Sequence, residues 1–138
     1  DLLAAQTDFG GMLARAREIA AAQTPIVDVL LNQRIATGIG NVYKSEVLFL
    51  ERLAPQVSLG DLDDDRLLRL YRRARHLLGR NLRGGPRVTR RANDDAGRLW
   101  VYGRTRQPCL VCDDRIRSAK LGQGLRSTFW CPSCQQLV

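Results

Sequence analysis

Long apolar runs are missing from this chain of 138 residues. No stretch approaches the roughly 18–20 residues that a membrane-spanning helix needs, and no basic-plus-apolar leader opens it. Both absences point to a cytoplasmic protein. Internal repeats and low-complexity tracts are also missing. Lysine is scarce, since Lys44 and Lys120 are the only two among 22 basic residues. Histidine is scarcer still. His76 stands alone, beside Leu77 and Leu78, and reads as a surface or core-edge residue rather than a metal ligand.

What is present is an ordinary hydrophobic share, 44%, and an uneven charge. Residues 1–79 hold ten basic and ten acidic side chains, whereas residues 80–138 hold twelve basic and four acidic. The whole net charge of +8 therefore sits in the second section. Basic charge gathered in this way suits a polyanionic partner. Arginine, with its planar fork, suits phosphate.

Apolar periodicity predicts four helices. Phe9, Met12, Leu13, Ala16, Ile19 and Ala20 share a face over residues 8–22, with Asp8 as N-cap. Thr24-Pro25 marks a second start, the threonine hydroxyl capping and the proline entering the first turn, followed by Ile26, Val27, Leu30, Leu31 and Ile35. A third helix starts near Asn41 and must stop before Pro55. A fourth starts near Asp63, with three aspartates in its first turn, and buries Leu67, Leu70, Tyr71, Ala74, Leu77 and Leu78 before Gly84-Gly85-Pro86. Residues 86–98 read as a polar linker containing Arg87, Arg90, Arg91 and Asn93-Asp94-Asp95. Leu99–Tyr102 and Ser127–Trp130 are rich in strand formers. Trp100 and Trp130 read as core of the second part, Glu46 as structural, and the arginines at 66, 69, 72, 73 and 75 as a solvated helix face.

All four cysteines fall in one pattern. Cys109-x2-Cys112 and Cys131-x2-Cys134 are separated by eighteen residues. Two such knuckles supply four thiolates to a tetrahedral Zn²⁺, a closed and therefore structural site. The intervening Gly122-Gln123-Gly124 allows a hairpin, and a unit this small needs a metal in place of a large core. Two disulfides, a redox pair and a protein-binding zinc ribbon are the other readings.

Ala36-Thr37-Gly38-Ile39-Gly40-Asn41-Val42-Tyr43 joins the second and third helices. Glycines allow close backbone approach, and the N–H groups of the helix beginning at Asn41 are suited to phosphate. Lys44 lies one turn on. An ordinary interhelical turn with an asparagine cap is the commoner reading of such a segment alone. Ahead of a basic zinc hairpin, phosphate binding is the better one.

The run Leu31-x-Gln33-Arg34-Ile35-Ala36-x-Gly38-Ile39-Gly40-Asn41-Val42-Tyr43-x-x-Glu46-Val47-Leu48-Phe49, followed by Pro55, resembles the helix–two-turn–helix motif of the formamidopyrimidine-DNA glycosylase and endonuclease VIII family. Val101-Tyr102-Gly103-Arg104, Pro108-Cys109-x-x-Cys112 and Arg126-x-Thr128-Phe129-Trp130-Cys131-Pro132-x-Cys134-Gln135 resemble its zinc finger. The segment between Gly85 and Trp100 is more similar to the endonuclease VIII side. The resemblance implies a mainly α fold: a helix–two-turn–helix four-helix domain over 1–85, a linker over 86–98 and a small β-hairpin zinc finger over 99–138. It implies DNA contacts at Asn41, Tyr102 and Arg126, to which the chemistry of the turn adds Gly40 and Lys44, and one structural Zn²⁺ on Cys109, Cys112, Cys131 and Cys134.

The expected partner is duplex DNA carrying an oxidised base or an abasic site, bound by a monomer that associates with the nucleoid. The family's covalent chemistry belongs to an N-terminal proline followed by glutamate. This chain begins Asp1-Leu2-Leu3, so it is expected to be a piece of a longer bifunctional glycosylase and AP lyase, inactive without its N-terminal catalytic domain. A zinc-ribbon protein-interaction module and an RNA-binding module are the alternatives of other classes.

Overall fold

The computed structural model describes residues 1–138 except 83 and 93. Arg83 and Asn93, the latter in the predicted linker, thus lie outside the described residues. Helices α1 (Phe9–Ile19), α2 (Ile26–Leu31), α3 (Asn41–Leu50) and α4 (Asp64–Arg80) come first, and strands β1 (Arg117–Leu121) and β2 (Arg126–Trp130) follow. The chain is thus mainly α with a small β-hairpin. Among the described residues no helix is long and apolar enough to cross a membrane.

The caps at Asp8 and Asp63 form as expected. Asp8 accepts from the Gly11 N–H at 2.9 Å and Asp63 from the Arg66 N–H at 2.8 Å, each satisfying an N–H that helix geometry leaves unpaired. Thr24 does not cap α2. Its backbone is paired with the segment after α3, Leu59 N–H donating to Thr24 O and Ile26 N–H to Val57 O. Pro25 becomes the N-cap, without a side-chain bond. Helix α2 also ends at Leu31 rather than continuing to Ile35, because Asn32 turns its carboxamide onto the Arg34 N–H at 2.9 Å. The short 3-10 turn Leu59–Asp61 was not expected. Its signature is a Ser58–Asp61 capping box.

The main core joins Met12 and Ala16 of α1, Ile26 and Leu30 of α2, Val47 and Leu48 of α3, and the predicted stripe of α4 from Leu67 to Leu77. A satellite core joins Phe49 of α3 to Val101, Cys109, Ile116 and Cys131. Helix α3 belongs to both cores, and every residue from Tyr43 to Phe49 is buried. Trp100 stacks on Phe49 with ring centroids 5.5 Å apart, so it packs across the junction between the two parts.

Two second-half expectations change. Leu99–Tyr102 is a turn, not a strand, for a reason that lies in Glu46. The linker is folded back on itself: the Thr89 and Arg90 N–H groups donate to Arg98 O at 2.9 Å, and Arg90 pairs with Asp94 at 2.6 Å. Asn81, just past α4, pins the near end of the linker by bonds to both the N–H and the C=O of Val88. The α4 arginines are not uniformly solvated. Arg73 pairs with Glu51 at 2.8 Å and Arg72 lies over the Phe9 ring.

Candidate nucleic-acid interface and metal centre

The glycine turn is held from below by Gln33, whose Nε2 donates to Ile39 O and whose Oε1 accepts from the Gly38 N–H. Gly38 adopts φ +118°, a conformation side chains rarely tolerate. Gly40 is different. It precedes α3 in extended backbone, and a Cβ there would meet nothing within 4 Å. Its openness leaves room for another molecule against the backbone.

Helix α3 carries three consecutive polar side chains, Lys44, Ser45 and Glu46, none with any exposed surface. Buried polar groups need partners, and each finds one in the second part of the chain. The Lys44 Nζ donates to Ser127 O at 3.1 Å and to Asn41 Oδ1 at 3.2 Å. Ser45 Oγ accepts from the Phe129 N–H at 3.2 Å. Glu46 accepts from the successive N–H groups of Trp100, Val101 and Tyr102 at 2.7, 2.9 and 3.1 Å, and from the Thr89 hydroxyl. Three neighbouring N–H groups converge on one anion only if the backbone curls into a nest; a strand would point them alternately apart. Glu46 is structural as expected, and its partners are backbone N–H groups and a hydroxyl.

Lys44, expected to touch DNA, is engaged within the chain. Its side chain is enclosed between α3 and β2, and its ammonium is engaged internally. Burial, together with the Arg126 guanidinium, brings its pKa down to about 8, against an opposing pull from Asp28.

The β hairpin is antiparallel, with Leu121 opposite Arg126. Its turn is clamped by Asp28 of α2, which accepts the Gln123 N–H on both carboxylate oxygens at 3.1 and 3.0 Å. Gly122, at φ +78°, lies so close that a Cβ would collide with that carboxylate. The clamp leaves Arg126 exposed on a groove of about 680 Å³ that Gly40 and Asn41 also line. A smaller cavity of about 280 Å³ is lined by Gly40 and Asn41 as well, together with Tyr102 and Arg87. Arg87 lies 6.0 Å from the centre of the Tyr43 ring. Tyr102 packs edge-on against Phe129 at 4.7 Å. Of the five residues expected at the interface, the structure thus arranges Gly40, Asn41, Tyr102 and Arg126 around two adjoining hollows and withdraws Lys44.

The four cysteine sulfurs lie within 4.8 Å of one another. Cys109 and Cys134 are 3.8 Å apart and Cys112 and Cys131 are 3.4 Å apart, near the roughly 3.8 Å edge of a tetrahedron with Zn–S bonds of about 2.3 Å. The Val111 N–H points at the Cys109 sulfur and the Cys134 N–H at that of Cys131. The donor set therefore fits a metal ion. Burial pushes the Cys131 and Cys134 thiols up, whereas the Asp114 N–H draws Cys112 down. Gln135, itself buried, joins this centre to the helices: its Oε1 accepts from the Cys131 N–H and its Nε2 donates to Leu53 O, both at 2.8 Å.

Residues 5–92 match the family described as the formamidopyrimidine-DNA glycosylase H2TH domain. The chain belongs to this family. A probable endonuclease 8 2 from Streptomyces coelicolor is 45% identical over 111 residues, covering 78% of this chain and 39% of that protein. The crystal structure of the MutM (Fpg) protein from Thermus thermophilus superposes with a TM-score of 0.77 at 30% identity, over 98% of this chain and 52% of that one. The Lactococcus lactis Fpg in complex with DNA containing an abasic site gives 0.75 at 27% identity, over 94% and 47%. The chain spans about half the length of the curated relatives it matches.

Within this H2TH-family chain, several residues that shape the site had no sequence signal for the contacts they make. Asp28 acts on a residue 95 positions away, and Gln135 reaches back 82. Ser45 is an ordinary helix serine until β2 covers it. Five arginines, Arg87, Arg90, Arg91, Arg98 and Arg104, border a cleft of about 1150 Å³ beside Tyr102, and four of them come from the segment read only as a linker.

Proposed function

We propose that this chain is the DNA-gripping part of a base-excision-repair glycosylase and AP lyase that acts on oxidised bases, and that it holds duplex backbone phosphates beside the lesion. The observation that carries this reading is the shared groove: Asn41 at the start of α3 and Arg126 at the start of β2 open on one hollow, although they lie far apart in sequence. Gly40 offers open backbone beside them, and Tyr102 lines the smaller cavity that Asn41 also borders. The family relationship and the DNA bound by the Lactococcus lactis relative support the choice of ligand.

In this reading the helical part, 1–85, and the cysteine part, 99–138, joined by 86–98, act as two jaws. Contacts to phosphate position a protein on DNA without reading bases. The grip steadies a duplex from which a damaged nucleotide is turned out, and the glycosidic bond is cut by the catalytic domain that the longer relatives supply. Cys109, Cys112, Cys131 and Cys134 hold one structural Zn²⁺, the favoured ion for four thiolates. The site of action is the cytoplasm, at the nucleoid.

Fluorescence anisotropy tests the reading. The probe is a duplex holding a tetrahydrofuran abasic analogue, beside an undamaged duplex, over a range of salt and with or without a chelator. Binding should need metal and weaken steeply with salt. Arg126→Ala should remove about 0.9 from the log–log salt slope. A folded, metal-loaded chain that ignores both duplexes at low salt would overturn the proposal.

A further inference from the structure

We infer that Lys44 is a positioning residue: its buried ammonium sets the Asn41 carboxamide and the Arg126 end of β2 in fixed relation, so that two phosphate-binding groups from separate parts of the chain are aligned before DNA arrives. The inference rests on the phosphate-grip reading above and assigns a role to a residue that does not touch the ligand.

The chemistry of the ammonium carries the argument. Lysine Nζ has three donors and no acceptor. Asn41, 3.2 Å away, must therefore present its Oδ1 to it. That choice leaves the Nδ2 donors of Asn41 for an external anion. A carboxamide turned the other way would offer phosphate an oxygen and be repelled. The second bond, 3.1 Å to Ser127 O, ties the same nitrogen to the residue that follows Arg126. One atom thus spans the start of α3 and the start of β2. It is fully enclosed, with β2 held over it by the Phe129 N–H on Ser45, the next residue of α3. Preorganisation of this kind strengthens binding by reducing the ordering that binding must impose.

Lys44→Met keeps the length and removes the donors. In anisotropy with the tetrahydrofuran duplex, this variant should bind on the order of tenfold more weakly at each salt concentration, with the wild-type salt slope, because no phosphate contact is lost. In the Asn41→Ala background, Lys44→Met should add little, since Lys44 acts partly through that carboxamide. The Asn41 side-chain amide signals in ¹⁵N relaxation should be as ordered as the backbone in the wild-type chain without DNA, and mobile in Lys44→Met.

Wild-type affinity in Lys44→Met, a slope reduced by about 0.9, or full additivity with Asn41→Ala would overturn the inference. Should Lys44→Met fail to fold, the wild-type amide decides: a freely rotating Asn41 side chain before DNA is added rules out preorganisation. These results stand apart from the parent proposal, which fails if the wild type shows no salt-dependent binding and Asn41→Ala costs nothing.

Discussion

Glu46 and Lys44 are charges placed where water does not reach, with opposite solutions. Glu46 is surrounded by donors: three backbone N–H groups and a hydroxyl. Glu46→Gln replaces one acceptor oxygen by an NH₂ that faces those donors. Hydrogen bonds to a charged group contribute about 1.5–3 kcal/mol, so a loss of about 2 kcal/mol in urea unfolding is expected, and an unchanged midpoint would contradict the observed convergence. The Lys44 pKa is held down to about 8 by burial and by Arg126, with Asp28 opposing, whereas the unfolded chain keeps that proton to about 10.4. Between these values the unfolded state binds more protons, so this group makes folding more favourable as pH rises from about 8 to 10. Lys44→Met removes that gain. The stability difference between wild type and variant should therefore move in favour of the wild type across this window, and a flat difference would mean a solvated ammonium.

Among the elements, the glycine turn separates two uses of glycine. Gly38 sits at φ +118° with Leu78 3.0 Å from where a Cβ would lie. Gly38→Ala should cost at least about 1 kcal/mol of stability. Gly40 has ordinary backbone and empty space, so Gly40→Ala should fold with wild-type stability and lose affinity for duplex DNA by obstructing the backbone. Thermal melts and anisotropy on the two variants give opposite patterns if Gly40 is open for a ligand; equal affinity in Gly40→Ala would show that no ligand approaches there. Helix α3 is the element on which the architecture turns. It presents Asn41 at its start and uses Lys44, Ser45 and Glu46 to seat the second part of the chain, so its polar residues define an internal joint.

For the whole molecule, the cysteine centre and the helices are linked through that joint. Among the described residues the satellite core is small, five buried residues of which two are cysteines, and units this small commonly need a metal or another staple to fold. A chelator should abolish the hairpin while leaving a helical circular-dichroism signal, and should lower the melting temperature of the helices, since it uncovers Lys44, Ser45 and Glu46. Intact DNA binding after metal removal would show that the hairpin is dispensable. Metal affinity should also weaken as pH is lowered, by more than about tenfold per unit, because the raised Cys131 and Cys134 thiols must release protons to bind. Competition against a chromophoric chelator at several pH values measures it.

The sequence by itself determined most of the helices and the cysteine cluster. Apolar stripes at helical spacing located α1, α3 and α4, Asp8 and Asp63 announced their caps, and the two Cys-x-x-Cys knuckles defined a four-thiolate site, because all of these are local properties of the chain. The motif around Gly38–Asn41 was legible for the same reason. Only the tertiary structure decided the rest. Thr24 lost its capping role to a backbone pairing with the segment at Val57–Leu59. Residues 99–102 became a nest instead of a strand because Glu46, more than fifty positions earlier, gathers their N–H groups. Lys44 carries the same residue type and spacing whether it points at DNA or is sealed beneath β2, and burial depends on which distant segment comes to cover it. Asn41 and Arg126 share a groove through such long-range contacts, for which no periodicity in the sequence exists.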